Sequence, residues 1–144
     1  MLRRCYASQV FRMPLPTLRA AFHYFLLVFG AGFLLGSLRV SLLTPRVGER
    51  NAELCEFPLM LAVLLLASRF IVRRHRLRTG EHLACGALAA GLLFGFEVFL
   101  VAPLRGLSAR QAIFDRDPLT GSIYYALQLL FALLPAYWNL RGKA

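Results

Sequence analysis

Four long apolar blocks, each bounded by charged residues, set the pattern of this chain. They run over about 20–39, 54–72, 82–102 and 118–140. A helix needs roughly 20 mostly apolar residues to cross about 30 Å of hydrocarbon. All four blocks reach that length, so the pattern predicts an all-α integral membrane four-helix bundle. Residues 1–18 read as a basic arm ahead of a single membrane domain over 19–144. Blocks this long argue against a soluble helical bundle.

Small residues mark the faces expected to pack. Gly32 and Gly36 form a GxxxG pair, and Arg39 follows on roughly the same face. The third block carries two further pairs, Gly91 with Gly95 and Gly86 with Ala90. Glu97 lies on the second of these faces, because eleven residues return a helix to within about 20°. Helix starts are expected at Thr17, at Thr79, and at Asp117 before Pro118. Pro45 and Gly48 predict a loop from Val40 to Asn51. Pro58 would kink a helix that starts near Asn51, and Pro135 is expected to bend or end the fourth. Glu49, Glu53 and Glu56 share one helical face, which is either a solvated entrance to the second span or a partner for buried arginine. Each half of the chain holds a glycine-bearing span, but no long internal repeat is apparent.

Composition agrees with the pattern. The hydrophobic fraction is 58%, above the roughly 45–50% of soluble domains. Charge then orients the helices. The net charge is +10, yet the basic residues flank the spans and make no continuous stripe, so nucleic acid is not expected as a partner. Arg3, Arg4, Arg12 and Arg19 precede the first span. Arg73, Arg74, Arg76 and Arg78 follow the second, and Arg141 and Lys143 follow the fourth. The other two loops mix arginine with Glu49, Glu53, Glu56, Asp115 and Asp117. Excess Lys and Arg mark the cytoplasmic side, so both termini are expected there. The basic arm suits anionic lipid at the cytoplasmic face. In a eukaryotic chain it would resemble a transit segment leading to an organelle membrane. The apolar block after it is too long for a signal-peptide core and is expected to be retained.

Cys5, Cys55 and Cys85 form no disulfide framework. His82 and Cys85 share a helix face, but two ligands are too few for a metal site. No metal, cofactor or catalytic residue is expected, since no nucleophile–base pair or hydrolase or kinase motif is present.

Depth arithmetic selects the polar residues able to meet. At 1.5 Å per residue, Arg39 lies about 28 Å, Glu56 about 27 Å and Glu97 about 22 Å from the inner boundary. Tyr124 falls near ~21 Å and Gln128 near ~15 Å, whereas Arg69, near ~4 Å, cannot reach Glu97. A charge inside a span costs about 2.5–3.5 kcal/mol on insertion scales, so partners are expected. Arg39, Glu56, Glu97, Tyr124 and Gln128 are therefore the candidate polar pocket. Two functions follow. Either the charges lock the helices of a structural component that associates with a membrane protein partner or a second copy, or they line an outward-facing pocket of a small transporter or proton- or solute-binding protein.

The segments GFLLGSLRV, PRVGE and AELCEFPLML, with SRFIVRR downstream, resemble an uncharacterised group of small four-helix bacterial inner-membrane proteins. The resemblance covers mainly residues 25–74. It implies a bacterial inner membrane, singles out Gly36, Arg39, Glu49, Glu53, Glu56 and Pro58, and supplies no activity.

Overall fold

The structure, a computed structural model, describes residues 14–104 and 106–142. Arg3, Arg4, Cys5, Arg12 and Lys143 lie outside the described residues. Four helices are long and apolar enough to cross a membrane: α1 (Leu15–Val47), α2 (Glu49–Arg74), α3 (Gly80–Leu104) and, after the short α4 (Ala109–Phe114), α5 (Pro118–Arg141). Among the described residues there is no strand. Their outward faces are leucine and phenylalanine, as with Leu66 and Phe99, 71% and 79% exposed. A water-soluble bundle of this size would bury such side chains.

The long helices form a ring in the order α1, α2, α5, α3, each packing on its two neighbours. Consecutive long helices run antiparallel. The start of α1, the 75–78 turn and the end of α5 therefore share one end of the bundle, the basic end. The Gly48 turn and the segment containing α4 share the other, which is the acidic end. The core is layered from Tyr24, Phe25 and Val28 on α1, Leu64 and Ile71 on α2, Cys85 and Ala89 on α3, and Phe131 and Leu134 on α5. Gly86 is where two backbones come closest. A Cβ there would run into the Ala132 carbonyl, with the carbonyl carbon 2.9 Å away. Gly32 rests against the Met60 side chain. Gly91 and Gly95, expected as a packing face, have nothing within 4 Å of where a Cβ would stand. They face away from the neighbouring helices, so small size at helical spacing did not mean contact there.

Several boundaries differ from expectation. α1 begins at Leu15 after Pro14, so the last residues assigned to the arm are helical. The cap of α3 is Arg78, whose backbone N–H donates to the Glu81 carboxylate at 2.8 Å. Helix continues through Pro58 and Pro135. The expected Val40–Asn51 loop shrinks to a single turn at Gly48, whose φ of +80° suits glycine.

α1 reaches that turn through a widened, π-helical segment at Arg39–Leu43. The same device recurs at Glu97–Val101 in α3. In each case the N–H that follows bonds back to the first residue of the segment: Thr44 to the Arg39 carbonyl, and Ala102 to that of Glu97. The cause is local. Pro45 and Pro103 each stand six positions after the charged residue. A proline ring clashes with the carbonyl four residues back and offers no N–H, and widening the preceding turn relieves both. Gly48 and Gly106, nine positions after the charges, are the two positive-φ glycines among the described residues. The halves α1–α2 and α3–α5 thus share a charge–proline–glycine frame. A repeat is present in geometry where residue identity is too sparse to reveal it.

At the basic end α1 and α2 are joined by His23 Nδ1 and His75 Nε2, 3.3 Å apart. Burial, followed by the His23 ring and Arg74, pushes the His75 pKa below the ordinary histidine value of 6.5. The folded chain therefore resists a proton that the unfolded chain accepts. The contact contributes fully above pH 6.5 and weakens as pH falls below it towards the lowered folded value. Thermal melting in detergent micelles should lose stability across that window, and His75→Gln should flatten the slope. An unchanged slope would remove His75 from the account. Gly86→Ala should lower the melting temperature, by about 1–3 kcal/mol of overpacking, whereas Gly91→Ala and Gly95→Ala should be near neutral. Equal effects at all three would contradict the close approach of α3 and α5.

Candidate functional site

The site is built from the two widened turns. In the first half, Arg39 leaves α1 and meets α2. Its Nε lies 2.6 Å from Glu56 Oε2 and its Nη1 lies 3.3 Å from Glu53 Oε1. Glu53 and Glu56 are three residues apart on α2, so one helical face presents both carboxylates. All three side chains are largely enclosed, at 12%, 26% and 17% exposed for Arg39, Glu53 and Glu56. Gly36, one turn below Arg39, faces Glu56: its Cβ position is 3.9 Å from Glu56 Oε1. The glycine clears space for Glu56 on the adjacent helix.

In the second half, Glu97 opens the widened turn of α3. One carboxylate oxygen accepts from Arg116 Nη2 at 2.6 Å and the other accepts from the Tyr124 hydroxyl. Arg116 is itself oriented. Its Nε donates to the Ala112 carbonyl at 2.9 Å, and its guanidinium lies 4.1 Å from the centre of the Tyr124 ring. Gly121 makes this possible, because a Cβ there would stand 3.1 Å from Arg116 Cβ. Asp117 caps α5 by accepting from the N–H groups of Leu119 and Thr120, and it approaches Arg50 of α2 at 3.6 Å. Gln128, one turn below Tyr124, donates to the Ala90 carbonyl at 3.0 Å.

These groups face each other across a cleft of about 510 Å³. Arg39, Glu56, Glu97, Tyr124 and Gln128 all line it, together with Glu53, Arg116 and Thr120. Below the charges the wall becomes apolar through Phe29, Leu64, Leu127 and Phe131. Above them a second hollow of about 410 Å³ adds Glu49, Arg50, Asp115 and Asp117 and shares Glu53, Glu97 and Arg116. Six of the seven acidic residues of a strongly basic chain line these two spaces, against Arg39, Arg50 and Arg116. The combined lining is acidic.

Arg116 was not among the residues singled out by depth, because it lies in a connection outside the apolar blocks. A signal for its placement was present. Ser108 and Gln111 form a capping box, with Ser108 N–H donating to Gln111 Oε1 at 2.9 Å. That motif starts the short helix that ends two residues before Arg116. Arg69 lies far from the cleft, 5.2 Å from the centre of the Trp138 ring near the basic end. Cys85 is buried in the core and Cys55 is exposed. Among the described residues no three His, Cys, Asp or Glu groups come together as metal ligands.

Arg39→Gln would leave two carboxylates enclosed without their cation. A loss of about 1.5–3 kcal/mol is expected, the scale of hydrogen bonds to charged groups. Adding Glu53→Gln and Glu56→Gln should restore most of it, because an unpaired charge costs more than the pair contributes. Unfolding of the variants in micelles measures this, and purely additive losses would refute it. The chain matches no family model, no curated protein and no solved structure.

Proposed function

We propose that this is a multi-pass protein of the bacterial inner membrane that binds a small solute in an outward-facing cleft, as a transporter or solute-binding component. The carrying observation is that the clusters around Arg39 and Glu97 each pair within their own half, while Arg50 and Asp117, which approach across the halves at 3.6 Å, do so on the exposed rim. Arg39 is answered by α2, and Glu97 by Arg116 and Tyr124, leaving the two sets on facing walls of an open cleft. A network whose task was only to lock the halves together would join Arg39 and Glu97 to the opposite half inside the cleft and close the space. The association role also expected from the sequence is compatible with the pairs, since each ties neighbouring elements, but it gives no reason for the cleft. An intramembrane acid near a cavity is a frequent element of solute and proton pathways.

Orientation follows from charge. The basic end carries Arg73, Arg74, Arg76, Arg78 and Arg141, and excess positive charge is retained in the cytoplasm. Both termini then lie inside, against anionic lipid, and the cleft opens outward.

The test uses single cysteines in a chain whose Cys5, Cys55 and Cys85 are replaced by serine. A membrane-impermeant thiol reagent added to intact cells should modify Gln128→Cys and should reach Arg76→Cys only after permeabilisation. Modification of position 76 from outside would reverse the orientation. An unreactive position 128 would mean that the cleft is closed to water. Glu97→Gln should leave protein abundance near normal while abolishing solute binding; loss of the protein instead would favour the locking role.

A further inference from the structure

We infer that the ligand of this cleft is a cationic amphiphile, an ammonium headgroup on an apolar tail, which enters sideways from the lipid between α1 and α3. The inference rests on the outward-facing cleft proposed above and adds the ligand class and its route.

The lining is graded along the membrane normal. Charged groups occupy its upper part, and Val28, Phe29, Leu64, Leu93, Leu127 and Phe131 form the lower wall. A small hydrophilic solute would satisfy the upper groups and leave that wall facing water. A molecule with a polar head and an apolar tail covers both. The cleft, at about 510 Å³, is within the roughly 300–1,000 Å³ range of ligand pockets.

The same grading has a side entrance. α1 and α3 pack through Phe25 and Phe29 against Phe96, the Phe29 and Phe96 rings meeting edge to face at 4.8 Å. Beyond that contact each widened turn packs with its own half, that of α1 on α2 and that of α3 on α4. Phe33 and Val40 line the cleft on α1 and are 64% and 54% exposed. By helical rise Phe33 stands about 20 Å from the inner boundary, within the roughly 30 Å of hydrocarbon, so the space between α1 and α3 beside it is where a lipid-borne molecule would enter the cleft.

Charge selects the head. Arg39 is matched by two carboxylates, Glu53 and Glu56, and Glu97 by Arg116, which leaves one negative charge on the cleft wall. The hollow above adds Glu49, Asp115 and Asp117 against Arg50. In a site walled by low-dielectric protein and lipid, one surplus charge selects strongly for its opposite. An ammonium group donates to carboxylates in the way this wall is built to accept. An anionic head would meet the surplus with the wrong sign.

A photoactivatable long-chain primary amine tests this with the full chain in phosphatidylcholine nanodiscs. Crosslinks should map to cleft-lining residues. Dodecylamine should compete them away, and dodecanoic acid and propylamine, at the same mole ratio, should compete at least tenfold more weakly. Leu127→Trp, which fills the lower wall, should cut crosslinking at least fivefold without a change in melting temperature. Glu53→Gln with Glu56→Gln should reverse the preference towards dodecanoic acid; if that pair fails to fold, Leu127→Trp and the competitor series decide. Equal competition by dodecanoic acid overturns the choice of head. Equal competition by propylamine overturns the tail and the lipid-side entry, while leaving a solute-binding cleft in place. No crosslinking in the cleft, with Gln128→Cys still modified from outside, overturns the inference alone. An inaccessible Gln128→Cys overturns the outward cleft beneath it.

Discussion

A guanidinium close to the end of an apolar helix has to be neutralised where it stands, and much of this structure follows from that. Arg39 is enclosed enough that water cannot hold its charge, so α2 has to begin early and bring Glu53 and Glu56 to the same level. That requirement explains why the second helix starts at Glu49, nine residues before Pro58, instead of at the proline. It also explains Gly36, which leaves Glu56 room to lie against α1. Glu97 imposes the mirror demand on the second half. There the answering cation comes from just beyond the end of a short helix, positioned by a capping box, a backbone carbonyl and an aromatic face.

The halves are alike in frame and opposite in charge. A charged residue opens a widened turn, proline enforces the widening, and glycine turns the chain back. Widened turns interrupt regular helix hydrogen bonding and are found frequently at functional sites. Here they fall at the two places where α1 and α3 stop packing on each other. Close backbone approach at Gly86 keeps the lower bundle tight, while the upper part diverges around the cleft. The close-packed base and the cleft above it are therefore consequences of different residues on the same helix.

The architecture was legible because the bilayer acts as a harsh solvent. Runs of about 20 apolar residues are long enough for spanning helices, and four helices of that length and composition stand where the blocks lie. Arg39, Glu56, Glu97, Tyr124 and Gln128, set at similar levels by rise per residue, line one cleft. Boundaries were less so. Pro45 read locally as part of a loop and Pro135 as a bend or end, yet helix continues through both, at Pro45 after a widened turn, as it does through Pro58. Packing of neighbouring helices outweighs the loss of a hydrogen bond at each. Gly91 and Gly95 show the converse error, since spacing defines a face but not what lies opposite it.

The sequence by itself determined the number, length and apolar character of the long helices, because these depend on length, composition and helical rise. Only the tertiary structure decided how those charges are partnered. Arg39 turns to Glu53 and Glu56, Glu97 turns to Arg116, and a cleft stands between them. Depth along a helix is a one-dimensional property that the chain carries everywhere. Azimuth, and hence who faces whom, is set by the ring order of the helices and by two widened turns whose effect appears only once the halves are packed.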